Sequence, residues 1–161
     1  MFSCHESLSL FCLEIMPPFI SHRRVEFSQT DMAGIVHFSN YYKWMEELEH
    51  DFLRSLGLSI VQRQPVGTWL GWPRVNASCH FQSPARYNDE IEGRLTLERI
   101  GVKSLTYYME FWRGDVRLAH GRQKVACCLF DLEGGLTSVE IPPDYLAKLQ
   151  PQEDVKSPSM R

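Results

Sequence analysis

Between Ser39 and Leu56, apolar residues return every three or four positions: Tyr41, Trp44, Met45, Leu48, Phe52, Leu53 and Leu56. That spacing makes one broad stripe on an α-helix, with Lys43, Glu47, His50, Asp51 and Arg54 off it. Ser39 or Asn40 is the expected N-cap, and Gly57 the C-terminal stop. At about 1.5 Å per residue the helix spans about 28 Å. As the only long helix that the pattern predicts, it should form the centre of the core.

Elsewhere the period drops to two, the signature of half-buried strands. Phe19 to Phe27 reads as a first strand, with Val25 and Phe27 alternating against Arg24 and Glu26. Gly34 closes the turn that follows, since glycine accepts backbone angles other residues avoid. After a predicted loop holding Pro65 and Gly67 come Val75, Ala77, Cys79 and Phe81, then Ile91, Gly93, Leu95 and Leu97, then Leu105, Tyr107, Met109 and Phe111. Val116 to Phe130 is a long fourth run, and the turn DLEGG separates it from a fifth at Leu136 to Ile141. Pro142 and Pro143 open a final short helix through Leu149. Short turns between successive strands imply antiparallel neighbours. The prediction is an α+β domain over residues 16–150, an antiparallel sheet of five or so strands wrapped around one long helix. Its edge strand and outer face need cover, so self-association is expected. Residues 1–15 read as a disordered extension, with Met16 as an alternative start, and 151–161 as a disordered tail.

Composition narrows the function classes. A chain of 161 residues suits one domain, and a net charge of −3 gives no broad basic field for nucleic acid. The cysteines Cys4, Cys12, Cys79, Cys127 and Cys128 are odd in number and form no CxxC pair. They read as reduced, mostly buried thiols of a cytoplasmic protein, with no metal motif and no cofactor implied. No apolar run approaches the roughly 18 residues that span a membrane. The stretch LSLFCLEI is short, carries Glu14 and lacks a basic flank before it, which argues against a signal peptide.

The stretch TDMAGIVHFSNYYKWMEE runs from the first strand through the glycine turn into the helix. It resembles the signature of the 4-hydroxybenzoyl-CoA thioesterase family, acyl-CoA thioesterases of the hotdog fold, in Asp31, Gly34, Ile35, Val36, Tyr41 and Glu46. The resemblance covers about Ser21 to Leu149. The longer match through VHFSNYYKWMEELEHDFLRSLGLS is also similar to 1,4-dihydroxy-2-naphthoyl-CoA thioesterases, which hints at an aromatic or bulky acyl group.

The resemblance implies thioester hydrolysis, with Asp31 as the catalytic carboxylate and the backbone N–H of Phe38 aimed at the thioester carbonyl oxygen. In one branch of the family a histidine holds the place of Phe38; here the histidine is His37, one residue earlier and turned by about 100°, so it reads as a structural or pocket-wall residue ahead of a catalytic base. Glu46 falls on the family's helix glutamate and is expected to fix the active-site loop or the subunit contact, while Glu47 reads as a solvated or pocket-edge charge. Gly34 and Val36 would lie against the substrate, and Tyr41, Trp69 and Trp72 are candidate walls of an acyl pocket. Coenzyme A carries phosphates, so Arg86, Arg99, Lys103 and Ser104 are candidate contacts, with Arg122 a further one. The expected assembly is a homodimer, extended to a homotetramer, with sites between subunits. Two other readings keep the fold: a hydratase or dehydratase, and a non-catalytic acyl-CoA or acyl-carrier binding module.

Overall fold

The computed structural model describes residues 17–65, 67–131 and 133–149. In chain order the elements are β1 (Phe19–Arg24), a 3-10 turn (Phe27–Gln29), α1 (Ser39–Ser55), β2 (Val61–Arg63), β3 (Trp69–Gly71), β4 (Arg74–Phe81), β5 (Glu90–Ile100), β6 (Ser104–Arg113), β7 (Val116–Ala126), β8 (Cys128–Phe130), β9 (Leu136–Ser138) and α2 (Pro143–Leu149). A five-stranded sheet has the order β1-β5-β6-β7-β4, and a four-stranded sheet the order β2-β3-β8-β9; every pairing is antiparallel.

The stripe on α1 and the inward residues of β5 and β6 make the core. Trp44, Met45, Leu48 and Leu53 face Ile91, Leu95, Leu105, Tyr107, Met109 and Phe111, all buried. Each such aliphatic side chain contributes roughly 1.5–3 kcal/mol. Gly93 lets the helix approach the sheet: a Cβ there would lie 3.2 Å from Leu48 Cδ2. Helix α1 runs opposite to β4, because Tyr41 near its start packs on Phe81 at the end of β4 (ring centroids 5.3 Å apart), while Glu49 in its second half binds Arg74 at the start. Strand β4 is an edge of its sheet.

Several details differ from the sequence pattern. Strand β1 ends at Arg24, because the N–H groups of Gln29 and Thr30 bond back to Glu26 and Phe27 and tighten the chain into a turn, leaving Phe27 74% exposed. A register shift between Arg74 and Asn76 puts Arg74 on the inner face and leaves Val75 57% exposed. The Pro65–Gly67 region joins β2 and β3, closed by Gln64 N–H to Thr68 O at 2.8 Å. The long run from Val116 splits at Cys127 into β7 and β8, which belong to different sheets. The expectations for residues 1–16 and 150–161 lie outside the described residues. Cys79, Cys127 and Cys128 are free thiols, and no helix among the described residues is long and apolar enough to cross a membrane.

Candidate active site

The turn before α1 is built on hydrogen bonds that fix Asp31. Its N–H donates to Ile35 O at 2.9 Å, and its carbonyl accepts from Gly34 N–H at 2.9 Å. Gly34 sits at φ +70°, the left-handed region that glycine enters without strain. Asp31 Oδ1 accepts the Ala33 N–H at 2.8 Å, which orients the carboxylate. Oδ2 has no partner among the described residues, and the side chain is exposed.

The helix start is tied to the same turn. His37 N–H and Asn40 Nδ2 both donate to Gln29 O, at 2.9 and 2.8 Å. Phe38 is the N-cap residue, with φ −52° and ψ −33°. Ser39 and Asn40 do not cap: Ser39 Oγ is held by His37 Nδ1 at 2.8 Å, and the Asn40 side chain is taken by Gln29. The N–H of Phe38 meets no acceptor among the described residues, as the first amides of a helix do unless a ligand or cap supplies one. Its ring, 56% exposed, packs edge-on near Phe81. His37 acts as a local brace at the helix start, and no hydrogen bond joins it to Asp31.

The other predicted residues divide into two ends. Val36 N–H bonds to Ala85 O at 2.8 Å, which ties the β4–β5 turn to the Asp31 turn, and a Cβ on Gly34 would lie 3.9 Å from Arg86 Nη1. Arg86 therefore stands beside the Gly34 turn. Tyr41, 3% exposed, belongs to an aromatic cluster with Trp44, Phe81 and Phe111, and burial pushes its hydroxyl up to about 12. Arg99, Lys103 and Ser104 lie at the far end of the sheet: Glu90 pairs with Arg24 near the Asp31 turn, and Arg99 is about 30 Å further along β5 at ~3.3 Å per residue. Arg122 is bound by both oxygens of Glu98 and lies over Tyr108 on the outer face. Glu47 pairs with Arg23, and Trp69 lies in β3.

Glu46 faces a cleft of about 600 Å³ between α1 and the four-stranded sheet, lined also by His50, Val61, Trp72, Arg74 and Phe130. Below it is a group that the sequence reading did not single out. Glu49 is 0% exposed; Arg74 Nη2 and Gln123 Nε2 both donate to its Oε2, at 2.8 and 2.5 Å. Its Oε1 and the Tyr107 hydroxyl have no partner among the described residues. Burial raises the Glu49 carboxyl to about 7, against the pull of Arg74 and Gln123. His50's own burial, with the positive charge of Arg74 beside it, lowers its imidazole below the usual histidine range. The signal was available: Glu49 lies four residues after Met45 and four before Leu53, on the apolar stripe itself.

Comparison with known proteins places the fold in a family. Residues 33–120 match the family model described as the Thioesterase superfamily, 4HBT. A putative esterase of Aquifex aeolicus (strain VF5) is 36% identical over 107 residues, covering 66% of this chain and 82% of that protein. The 4-hydroxybenzoyl-CoA thioesterase of Pseudomonas sp. (strain CBS-3) is 28% identical over 133 residues, covering 77% and 92%. The solved structure of a gentisyl-coenzyme A thioesterase superposes with a TM-score of 0.70 at 30% identity, covering 81% of this chain and 99% of that one. With this family match, these relatives and a five-stranded antiparallel sheet packed on one long helix, the chain belongs to the thioesterase superfamily and is a hotdog-fold thioester hydrolase.

Proposed function

We propose that this chain hydrolyses acyl-coenzyme A thioesters at the Asp31 turn, in a site completed by a second copy. One observation carries the reading: the free oxygen of the Asp31 carboxylate and the unpartnered N–H of Phe38 stand at the same helix end. A helix N-terminus holds partial positive charge and amide donors, which suits the oxyanion that grows on a thioester carbonyl. Asp31 then acts in one of two ways. As a general base it takes a proton from the attacking water; as a nucleophile it forms a mixed anhydride that water cleaves. On either route the tetrahedral centre collapses, the C–S bond breaks, and the products are a free acid and coenzyme A. A thiol ionises near 8.5, so the thiolate leaves without an acid. Arg86 would guide the anionic carrier.

A single chain holds only half of this site. The Asp31 turn is at one end of the sheet, and the cleft, Arg99 and Lys103 are at the other. The free edge of β4 supports a pairing that would join the two ends. Paired antiparallel with its copy about a twofold axis, β4 sets Arg74 of one chain opposite the Phe81 end of the other. The cleft of one protomer then adjoins the Asp31 turn of its partner, and the exposed Met32, Phe38, Val75 and Phe81 are covered. Relatives named for 4-hydroxybenzoyl and gentisyl thioesters support an aromatic acyl group and a coenzyme A carrier. The outer sheet face is left to join two dimers into a tetramer, and the free thiols suit a reducing, cytoplasmic setting.

The test is a hydrolysis panel of aliphatic and aromatic acyl-CoA substrates, run with the native protein and Asp31→Asn. Thiol release by the native protein and a kcat lower by about 10²–10⁴ in the variant is the expected result. Equal release by both removes Asp31 from the chemistry. Tight binding of coenzyme A with no turnover of any substrate would leave a binding module instead.

A further inference from the structure

Three polar residues are buried among the described residues: Asn40, Glu49 and Gln123. Gln123 donates to Glu49 under the middle of α1. Asn40 stands apart, at the helix end that holds Asp31 and Phe38. A buried amide is stable only where it is hydrogen-bonded. The Asn40 amide, 7% exposed, meets that need outside its own helix, with Nδ2 donating to Gln29 O at 2.8 Å. The same carbonyl accepts His37 N–H at 2.9 Å, which its two lone pairs allow. Gln29 is itself fixed in the 3-10 turn: its N–H donates to Glu26 O at 3.0 Å, and its Oε1 accepts from Glu26 N–H at 2.9 Å. The Asn40 bond therefore joins two held pieces, since Gln29 is two residues before Asp31 and Asn40 two residues after Phe38. Backbone bonds from Asp31 N–H to Ile35 O and from Val36 N–H to Ala85 O shape the loop between them. The His37 bond alone would let the helix start pivot about the Gln29 carbonyl. A second bond from Asn40, three residues further along, removes that pivot.

We propose that Asn40 is a positioning residue of the reaction, its bond to Gln29 setting the distance and angle between the Asp31 carboxylate and the Phe38 N–H. This rests on the reading of Asp31 as the catalytic acid group and of the Phe38 amide as the oxyanion donor. Asn40 hydrogen-bonds to neither of them; it acts through the turn that carries one and the helix that carries the other. Both groups must meet a single thioester carbonyl, the carboxylate on the side of its carbon and the amide at its oxygen. Such a constellation tolerates little error, because a displacement of about 1 Å costs about 10²-fold in rate. The Phe38 N–H has no bond of its own to hold it in line. Its aim is set by the direction of the first helical turn, and Asn40 ties that turn to the segment leading into Asp31.

The experiment is a double-mutant cycle on kcat, run with whichever acyl-CoA of the hydrolysis panel the native protein turns over fastest. Asn40→Leu fills similar space without the donor. In the native background kcat should fall about 10²-fold while KM changes by less than about threefold. In Phe38→Pro, which already lacks the N–H being positioned, the same substitution should cost less than about threefold, because two changes to one interaction do not add. Equal losses in both backgrounds, or an unchanged kcat in the native one, overturn the inference and leave the thioesterase reading standing. A loss that matches the unfolded fraction measured by urea denaturation reduces Asn40 to a structural residue. Asn40→Ser suits a helix start, and its hydroxyl is one bond too short to reach Gln29 O; it carries the same cycle if Asn40→Leu does not fold. Asp31→Asn, which removes the other group being positioned, replaces Phe38→Pro as the second background if that variant does not fold. A native protein inactive on every thioester removes the proposed function itself, a result distinct from all the others.

Discussion

Glu49→Gln tests the energetics of the core directly. A glutamate that ionises at about 7 in the native state and near 4.5 in the unfolded chain binds its proton more tightly when folded. Its contribution to stability is therefore complete below about pH 4.5, declines as pH rises, and is lost above about pH 7. Full burial means little solvent screening, so the difference corresponds to roughly 3 kcal/mol. Glutamine fills the same space and does not titrate. Urea denaturation of both proteins at matched concentration from pH 4.5 to 8 isolates the term, because the other groups are common to both. The stability of Glu49→Gln relative to the native protein should rise by roughly 3 kcal/mol across that window and then level off. A difference that stays flat over the whole range would refute the account of a carboxyl protonated by burial.

Other outcomes follow from the same geometry. Phe38→Pro deletes the proposed oxyanion donor while its φ of −52° already suits proline; kcat should fall about 10²–10³-fold, well beyond the loss in Phe38→Ala, which keeps the N–H. Similar kcat values in the two variants would remove the Phe38 amide from catalysis. Lys103→Glu should raise KM more than it lowers kcat if Lys103 only binds the carrier, and the reverse split would contradict that role. Sedimentation equilibrium should give a dimer or tetramer, whereas a monomer that hydrolyses thioesters would overturn the shared site.

The parts of the fold that were legible in the sequence are those where one physical demand dominates. The α1 stripe and the inward sets of β5 and β6 were readable because each must bury one face against the other. Gly34 and Gly57 were readable because both take positive φ. Local competition hid the rest. Phe27 looked like a strand position, but its segment folds back on itself in a 3-10 turn. Val75 looked buried, but one shifted residue turns Arg74 toward Glu49 in its place. The β2–β3 hairpin is only three residues a side, too short for alternation to register. Asp31 and Phe38 were marked by a motif, and the structure adds the hydrogen bonds that hold one and leave the other free. Glu49 was passed over because a charged residue on an apolar stripe is read as noise until its partners, 25 and 74 residues away, are brought beside it.

The most direct measurement is complementation between two disabled chains. Asp31→Asn removes the acid from one half of the proposed site, and Val61→Trp fills the cleft in the other half from an exposed strand position. Each homodimer should be nearly inactive. In an equal mixture refolded together, half of the dimers pair the two kinds of chain and keep one intact site of two, so activity should return to about a quarter of the native level. Activity no higher than the average of the two parents would contradict a site shared between protomers.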